Sequence, residues 1–292
     1  MKRTIPLLAT TMTLALLLVV GGVAASQQRH EEGSTSSSQP TTVNKSGSDI
    51  SIQSTTVKAS FASGSGADFF GVKVSDHGNL LSFESPQGQE SVFDGREGYA
   101  LCSRDGTVHG HDTGGVEGGF GPPKFNQPNP GKFPLTITRN TTDGNFQLKQ
   151  VWSKPDATEK DVTLTMTVKN ISNSALGVLL SRSGDFDVGS NVNDQGARTD
   201  DSVWQWDDSS SATVETFRGG TMLTGLTTSG SEHAARIEQS SAWAVAGGTR
   251  EVCFPAGIAT PTSAQDLAMR MIYALILDPG QSKTVKFEYG RM

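Results

Sequence analysis

The segment Val162-Thr163-Leu164-Thr165-Met166-Thr167-Val168-Lys169 alternates apolar and polar residues without a fault. A period of two puts Val162, Leu164, Met166 and Val168 on one face of an extended chain, which predicts a strand with one face in a core. The pattern recurs in pairs around turn residues. Residues 135–139 and 146–150 flank Thr141-Thr142-Asp143-Gly144-Asn145, and residues 69–74 and 80–83 flank Asp76-His77-Gly78-Asn79. Residues 99–102 and 107–109 flank Arg104-Asp105-Gly106. Each turn contains the Gly that a tight reversal favours.

Near the C-terminus, Leu267, Met269, Met271, Tyr273, Leu275 and Leu277 share one phase, Asp278-Pro279-Gly280-Gln281 reads as a turn, and residues 284–289 as a last strand. Ser263-Ala264-Gln265-Asp266 would also suit the cap of a short helix running into Met271, but single-face alternation favours the strand. No helical period is sustained elsewhere. The expected fold is all-β, a large antiparallel β-sandwich spanning residues 56–292 as one domain.

Ahead of it the pattern changes twice. Residues 26–55 include Glu32-Gly33-Ser34-Thr35-Ser36-Ser37-Ser38-Gln39-Pro40-Thr41-Thr42, with no apolar residue, and only Val43, Ile50 and Ile52 follow before Val57. So few apolar groups cannot build a core, and a disordered Ser/Thr/Gln-rich linker is expected. Residues 1–25 carry Lys2 and Arg3, an uncharged apolar run over 14–20, and the exit Gly21-Gly22-Val23-Ala24-Ala25. That is the layout of a secretory signal peptide. An uncleaved anchor is the rival, and this segment is the one membrane contact expected. Either way the remainder is exported, to an extracellular, periplasmic or cell-surface location.

Charge and cysteine content narrow the partners. The net charge is −6, and −8 without residues 1–25, which hold Lys2 and Arg3 and no acid. An acidic chain repels phosphate backbones, so nucleic acid is not an expected partner. Cys102 and Cys253 are far apart and outside any metal-type spacing. In an oxidising compartment they are expected to form a disulfide, with two buried thiols as the alternative.

Several clusters could carry chemistry. Residues 182–208 are densely polar, and Asp185, Asp187, Asn191, Asn193 and Asp194 offer the oxygen ligands that a structural calcium ion takes. The spacing does not match an EF-hand loop, and an Asp/Asn-rich solvated loop is the plainer reading. Asp185 or Asp187 paired with Glu97 would suit acid/base cleavage of a glycosidic bond. His109 and His111 would share a strand face and serve one metal, with His77, Asp112 or His233 as a third ligand. Residues 113–134 are too rich in Gly and Pro for regular structure, and Phe120, Phe125 and Phe133 would anchor that loop or touch a ligand. Trp204 and Trp206 share one face of a strand and would either stack on sugar rings or fill the core, whereas Trp152 and Trp243 read as core.

The chain has no Gly-x-Ser-x-Gly elbow, phosphate loop, dinucleotide fingerprint or His-Glu-x-x-His. The expected function is therefore a non-catalytic secreted or surface-displayed β-sandwich, binding a glycan or another envelope component through Trp204, Trp206, Phe120 and Phe125. The alternative is a carbohydrate-active enzyme using paired carboxylates.

Overall fold

The computed structural model describes residues 56–92, 97–113, 116–186, 194–198, 202–207, 221–227, 232–239 and 267–291. The expected signal peptide and linker lie outside them. Apart from a short 3-10 turn at Gly66–Asp68, the regular structure among the described residues is all β-strand. The strands run β1 Val57–Ser63, β2 Phe70–Ser75, β3 Leu80–Glu84, β4 Glu97–Cys102, β5 Val108–Thr113, β6 Val116–Gly118, β7 Lys124–Asn126, β8 Leu135–Asn140 and β9 Phe146–Trp152. There follow β10 Asp161–Asn170, β11 Leu176–Asp185, β12 Asp194–Arg198, β13 Ser202–Asp207, β14 Thr221–Thr227, β15 Glu232–Gln239, β16 Leu267–Leu277 and β17 Ser282–Arg291.

Three antiparallel sheets result. Strands β1, β2 and β3 form one by simple hairpins. An eight-stranded sheet has the order β12-β13-β14-β17-β10-β9-β8-β7, and a six-stranded sheet the order β15-β16-β11-β4-β5-β6. The last two face each other as a β-sandwich. The alternation in β10 is realised as expected, with Val162, Leu164, Met166 and Val168 buried and the intervening Thr residues half-buried. Opposite them the six residues of one phase in β16, Leu267 to Leu277, are all buried. Tyr273 meets Phe287 edge-on across the layers, with ring centroids 5.4 Å apart. Burying side chains of this size stabilises by about 1.5–3 kcal/mol each, which is what holds the layers together.

The structure departs from the sequence reading at two places. Residues 182–185 are no solvated loop: they complete β11, and Arg182, Ser183 and Asp185 are buried. Residues 113–134 are not wholly irregular either, since β6 pairs with β5 and β7 with β8 at the sheet edges. Composition argued against strands there, but three-residue edge strands pair along one side only and tolerate Gly and Pro neighbours.

Candidate functional site

Inside the sandwich the inward phase of several strands changes from apolar to polar. Leu180 gives way to Arg182, Leu101 and Tyr99 to Glu97, Leu148 to Gln150, and Ile137 to Arg139, all buried. The centre of this network is Arg182. Its Nε lies 2.5 Å from Glu97 Oε1 and donates to the Tyr289 hydroxyl at 2.8 Å. Its Nη1 donates to Gln150 Oε1 at 2.9 Å, and its Nη2 to Glu97 Oε2 at 2.7 Å and the Gly78 carbonyl at 3.0 Å. Glu97 also accepts from the Tyr289 hydroxyl and from the Leu80 N–H, each at 2.8 Å. Burial pushes the Glu97 carboxyl up to about 7, against the pull of the Arg182 charge and of these hydrogen bonds.

A second cluster adjoins the first through Tyr99, whose hydroxyl accepts from Arg139 Nη1 at 3.2 Å and donates to the His77 carbonyl at 2.8 Å. Here His77, Asp112 and Glu117 bring their ligating atoms together, the one such group among the described residues. His77 Nδ1 lies 2.9 Å from Asp112 Oδ2 and 3.1 Å from Glu117 Oε2. Arg139 donates to Asp112 Oδ2 at 2.9 Å and also pairs with Glu117 Oε1. Asn79 Nδ2 donates to Asp112 Oδ1 at 2.8 Å. Every carboxylate oxygen of the cluster thus has a protein donor, and the cation among them is the Arg139 guanidinium. This is a closed ion-pair cluster more than a waiting metal centre.

Both clusters grip the turn between β2 and β3. The His77 and Gly78 carbonyls, the Asn79 side chain and the Leu80 N–H are all bound by interior groups. Gly78 has φ +89°, and a Cβ there would stand 2.6 Å from Gln150 Nε2. The buried charges therefore serve to key a third sheet's hairpin into the sandwich, satisfying backbone groups that burial would otherwise leave unpaired.

Among the described residues, those singled out from sequence do not gather at one point. Asp185 is buried at the end of β11, Asp194 opens β12 in the other sheet, and Asp187, Asn191 and Asn193 lie outside the described residues. Glu97 cannot pair with Asp185 as a glycosidase dyad. Gly184 is its register partner, so Asp185 belongs to the opposite face of the same sheet. His109 and His111 are separated by a bulge where Leu101 pairs with Gly110 but Cys102 with Val108. The extra residue, His109, packs edge-on against Phe146 of the facing sheet at 4.8 Å, while His111 pairs with Ala100 on the outer side. Cys102 is disulfide-bonded; Cys253, the other cysteine of the chain, lies outside the described residues, as does Trp243.

Phe120 and Phe133 are buried, each 8 % exposed, and Phe120 packs on Tyr99 at 5.5 Å under the Arg139 guanidinium. Phe125, on β7, is 41 % exposed with Lys58 Nζ 4.0 Å from its ring centroid. Strand register assigns faces to β13. Tyr289 is inward, Leu223 pairs with Tyr289, and Val203 pairs with Leu223, so Val203 holds the inward phase. Trp204 and Trp206 hold the alternate phase of β13 in the eight-stranded sheet. Phe125 sits at the far edge of that sheet, so it does not adjoin them.

Sequence reasoning missed Arg139, Arg182, Gln150 and Glu117. A signal for three of them was present: Leu135-x-Ile137-x-Arg139 and Phe146-x-Leu148-x-Gln150-x-Trp152 put a polar residue in the apolar phase, as does Val178-x-Leu180-x-Arg182.

No family model and no curated protein matches this chain. Among solved structures it is similar to a bacterial glucoamylase complexed with acarbose, at 10 % identity and TM-score 0.47 over 86 % of this chain and 34 % of that one. It is also similar to a polysaccharide lyase (8 %, TM-score 0.43, 80 % of this chain and 32 % of that one). A third is a candidate aldose 1-epimerase from Escherichia coli K12 (10 %, TM-score 0.39, 80 % and 99 %). The chain spans about a third of the length of the first two.

Proposed function

We propose that this chain is an exported β-sandwich that binds a glycan on its surface without cleaving glycosidic bonds, with Trp204 and Trp206 as the stacking platform. The supporting observation is the β13 register: Val203 pairs through Leu223 with the inward Tyr289, and both tryptophans hold the alternate phase. An indole offers a flat apolar face and an N–H, a combination suited to the C–H face and hydroxyls of a sugar ring. Farther along the same sheet, with β14 and β17 between, β10 carries Thr163, Thr165 and Thr167 on its side away from the core, half-buried hydroxyls suited to a polyol. The interior carboxylates are held by arginines and by the β2–β3 turn, so the described residues favour binding over glycoside hydrolysis. Export rests on residues 1–25 and display on the linker that follows.

The test is retention on insoluble polysaccharides (cellulose, chitin, starch and peptidoglycan) by the secreted protein. Retention on at least one is expected, with Trp204→Ala or Trp206→Ala weakening it about tenfold, the equivalent of about 1.4 kcal/mol. Unchanged retention in both variants, or none on any polymer by the folded protein, would discard the reading. A mature N-terminus at Ser26 would establish cleavage of the signal.

A further inference from the structure

The hairpin turns after β4 and after β8 come from opposite sheets and meet at one end of the sandwich. Ser103, His109 and Asp143 stand between them. Ser103 Oγ lies 2.6 Å from His109 Nε2, and His109 Nδ1 lies 2.5 Å from Asp143 Oδ2. We propose that Ser103, His109 and Asp143 form a nucleophile–base–orienter triad that hydrolyses carboxylic esters through a Ser103 acyl-enzyme.

The geometry assigns the roles. Asp143 is itself fixed: Oδ1 accepts from Thr141 Oγ1 at 2.6 Å and the Asn145 N–H at 3.0 Å, and Oδ2 accepts from Asn145 Nδ2 at 3.0 Å. Partial burial opposes its ionisation, but the hydrogen bonds from Thr141, His109 and Asn145 outweigh that and hold the carboxyl below its ordinary range. An ionised carboxylate only accepts, so Nδ1 of His109 carries the proton and Nε2 turns its lone pair to Ser103. The ring is buried and fixed by Phe146, which prevents the base from swinging away. Ser103 sits in a turn whose next residues, Arg104 and Asp105, are exposed, so a substrate can approach from solvent. Its main chain is pinned by the Ser103 N–H to the Thr107 carbonyl at 2.7 Å and the Gly106 N–H to the Ser103 carbonyl at 3.0 Å.

In the first half-reaction Ser103 Oγ bonds to the ester carbonyl carbon as its proton passes to His109 Nε2. The carbonyl–alkoxy bond then breaks, and the leaving alkoxide takes that proton as an alcohol. Water repeats the sequence on the acylated Ser103: one proton goes to Nε2, the carboxylic acid leaves, and the proton returns to Ser103. No oxidant or co-reactant is consumed. A simple clasp between hairpins would use the same contacts, but it would not make Ser103 nucleophilic.

The full secreted chain is treated with a fluorophosphonate probe and, separately, with p-nitrophenyl acetate. One phosphonyl adduct is expected, mapping to Ser103, together with ester hydrolysis. Ser103→Ala should lose both while melting at the wild-type temperature, and Asp143→Asn should slow both about 10²–10⁴-fold. A folded wild-type protein without an adduct at Ser103, or equal hydrolysis by Ser103→Ala or Asp143→Asn, overturns the proposal. The triad joins the β4–β5 and β8–β9 turns, away from β13, so failure of the glycan reading would leave the labelling unchanged.

Discussion

Arg182 meets Glu97 at two points, Nε to Oε1 at 2.5 Å and Nη2 to Oε2 at 2.7 Å, with neither side chain exposed. The strands that carry them, β11 and β4, are neighbours in the six-stranded sheet, and Tyr289 and Gln150 reach across from the other sheet to complete the set. A pair of this kind is less a source of net stability than a constraint, because desolvation offsets most of the attraction. Its removal from one side alone is costly.

Arg182→Met at pH 8 should therefore destabilise the fold by about 3–5 kcal/mol, because Glu97 is left without its cation and must stay buried as a bare charge or take up a proton. Arg182→Met with Glu97→Leu should recover much of the loss. Urea unfolding of the two variants checks this, and a double variant no more stable than the single one would contradict the account.

Glu97 makes stability depend on pH in a stated direction. Its carboxyl titrates at about 7 in the fold against 4.5 as the ordinary value, because burial disfavours the charged form. Between those values the folded state binds more protons than the unfolded state. The contribution is thus fully present below pH 4.5 and lost as pH rises through about 7. The stability difference between wild type and Glu97→Gln should shift over this window and level off above it, since groups common to both proteins cancel. A constant difference from pH 4 to 8 would count against the shift.

Gly78→Ala combines two penalties: a positive φ and a Cβ driven to 2.6 Å from the buried Gln150 amide. The expected cost is about 2–4 kcal/mol. Gly88→Ala, also at positive φ but with nothing within 4 Å, isolates the conformational part and should cost about 1 kcal/mol. Thermal unfolding of the pair measures the close approach by difference; equal losses would remove it.

The cystine at Cys102 should add about 2–5 kcal/mol, as a bridge closing a long loop does. Reduction should lower the melting temperature, and Cys102→Ser should reproduce the effect. Peptide mapping under non-reducing conditions is expected to link Cys102 to Cys253, and a free Cys253 thiol would refute that pairing.

What depends on near neighbours along the chain can be read from the order of residues. Side-chain alternation is a property of an extended backbone, so β10 and β16 were legible residue by residue, as were the hairpins around residues 76–79, 104–106 and 141–145. Which charged residues enter the core, and what they do there, follows from packing between distant strands. Arg182 and Tyr289 lie 107 residues apart, and Arg182 and Glu97 85 apart, distances over which no periodicity carries information. The bulge in β5 turned His109 away from His111, because one unpaired residue breaks the phase on which the metal reading rested. Register is the same kind of fact: spacing put Trp204 and Trp206 in one phase of β13, and pairing through Leu223 to Tyr289 gave Val203 the other. Alternation is local and is written in the chain; which face is inside is a long-range property of the packed sheets.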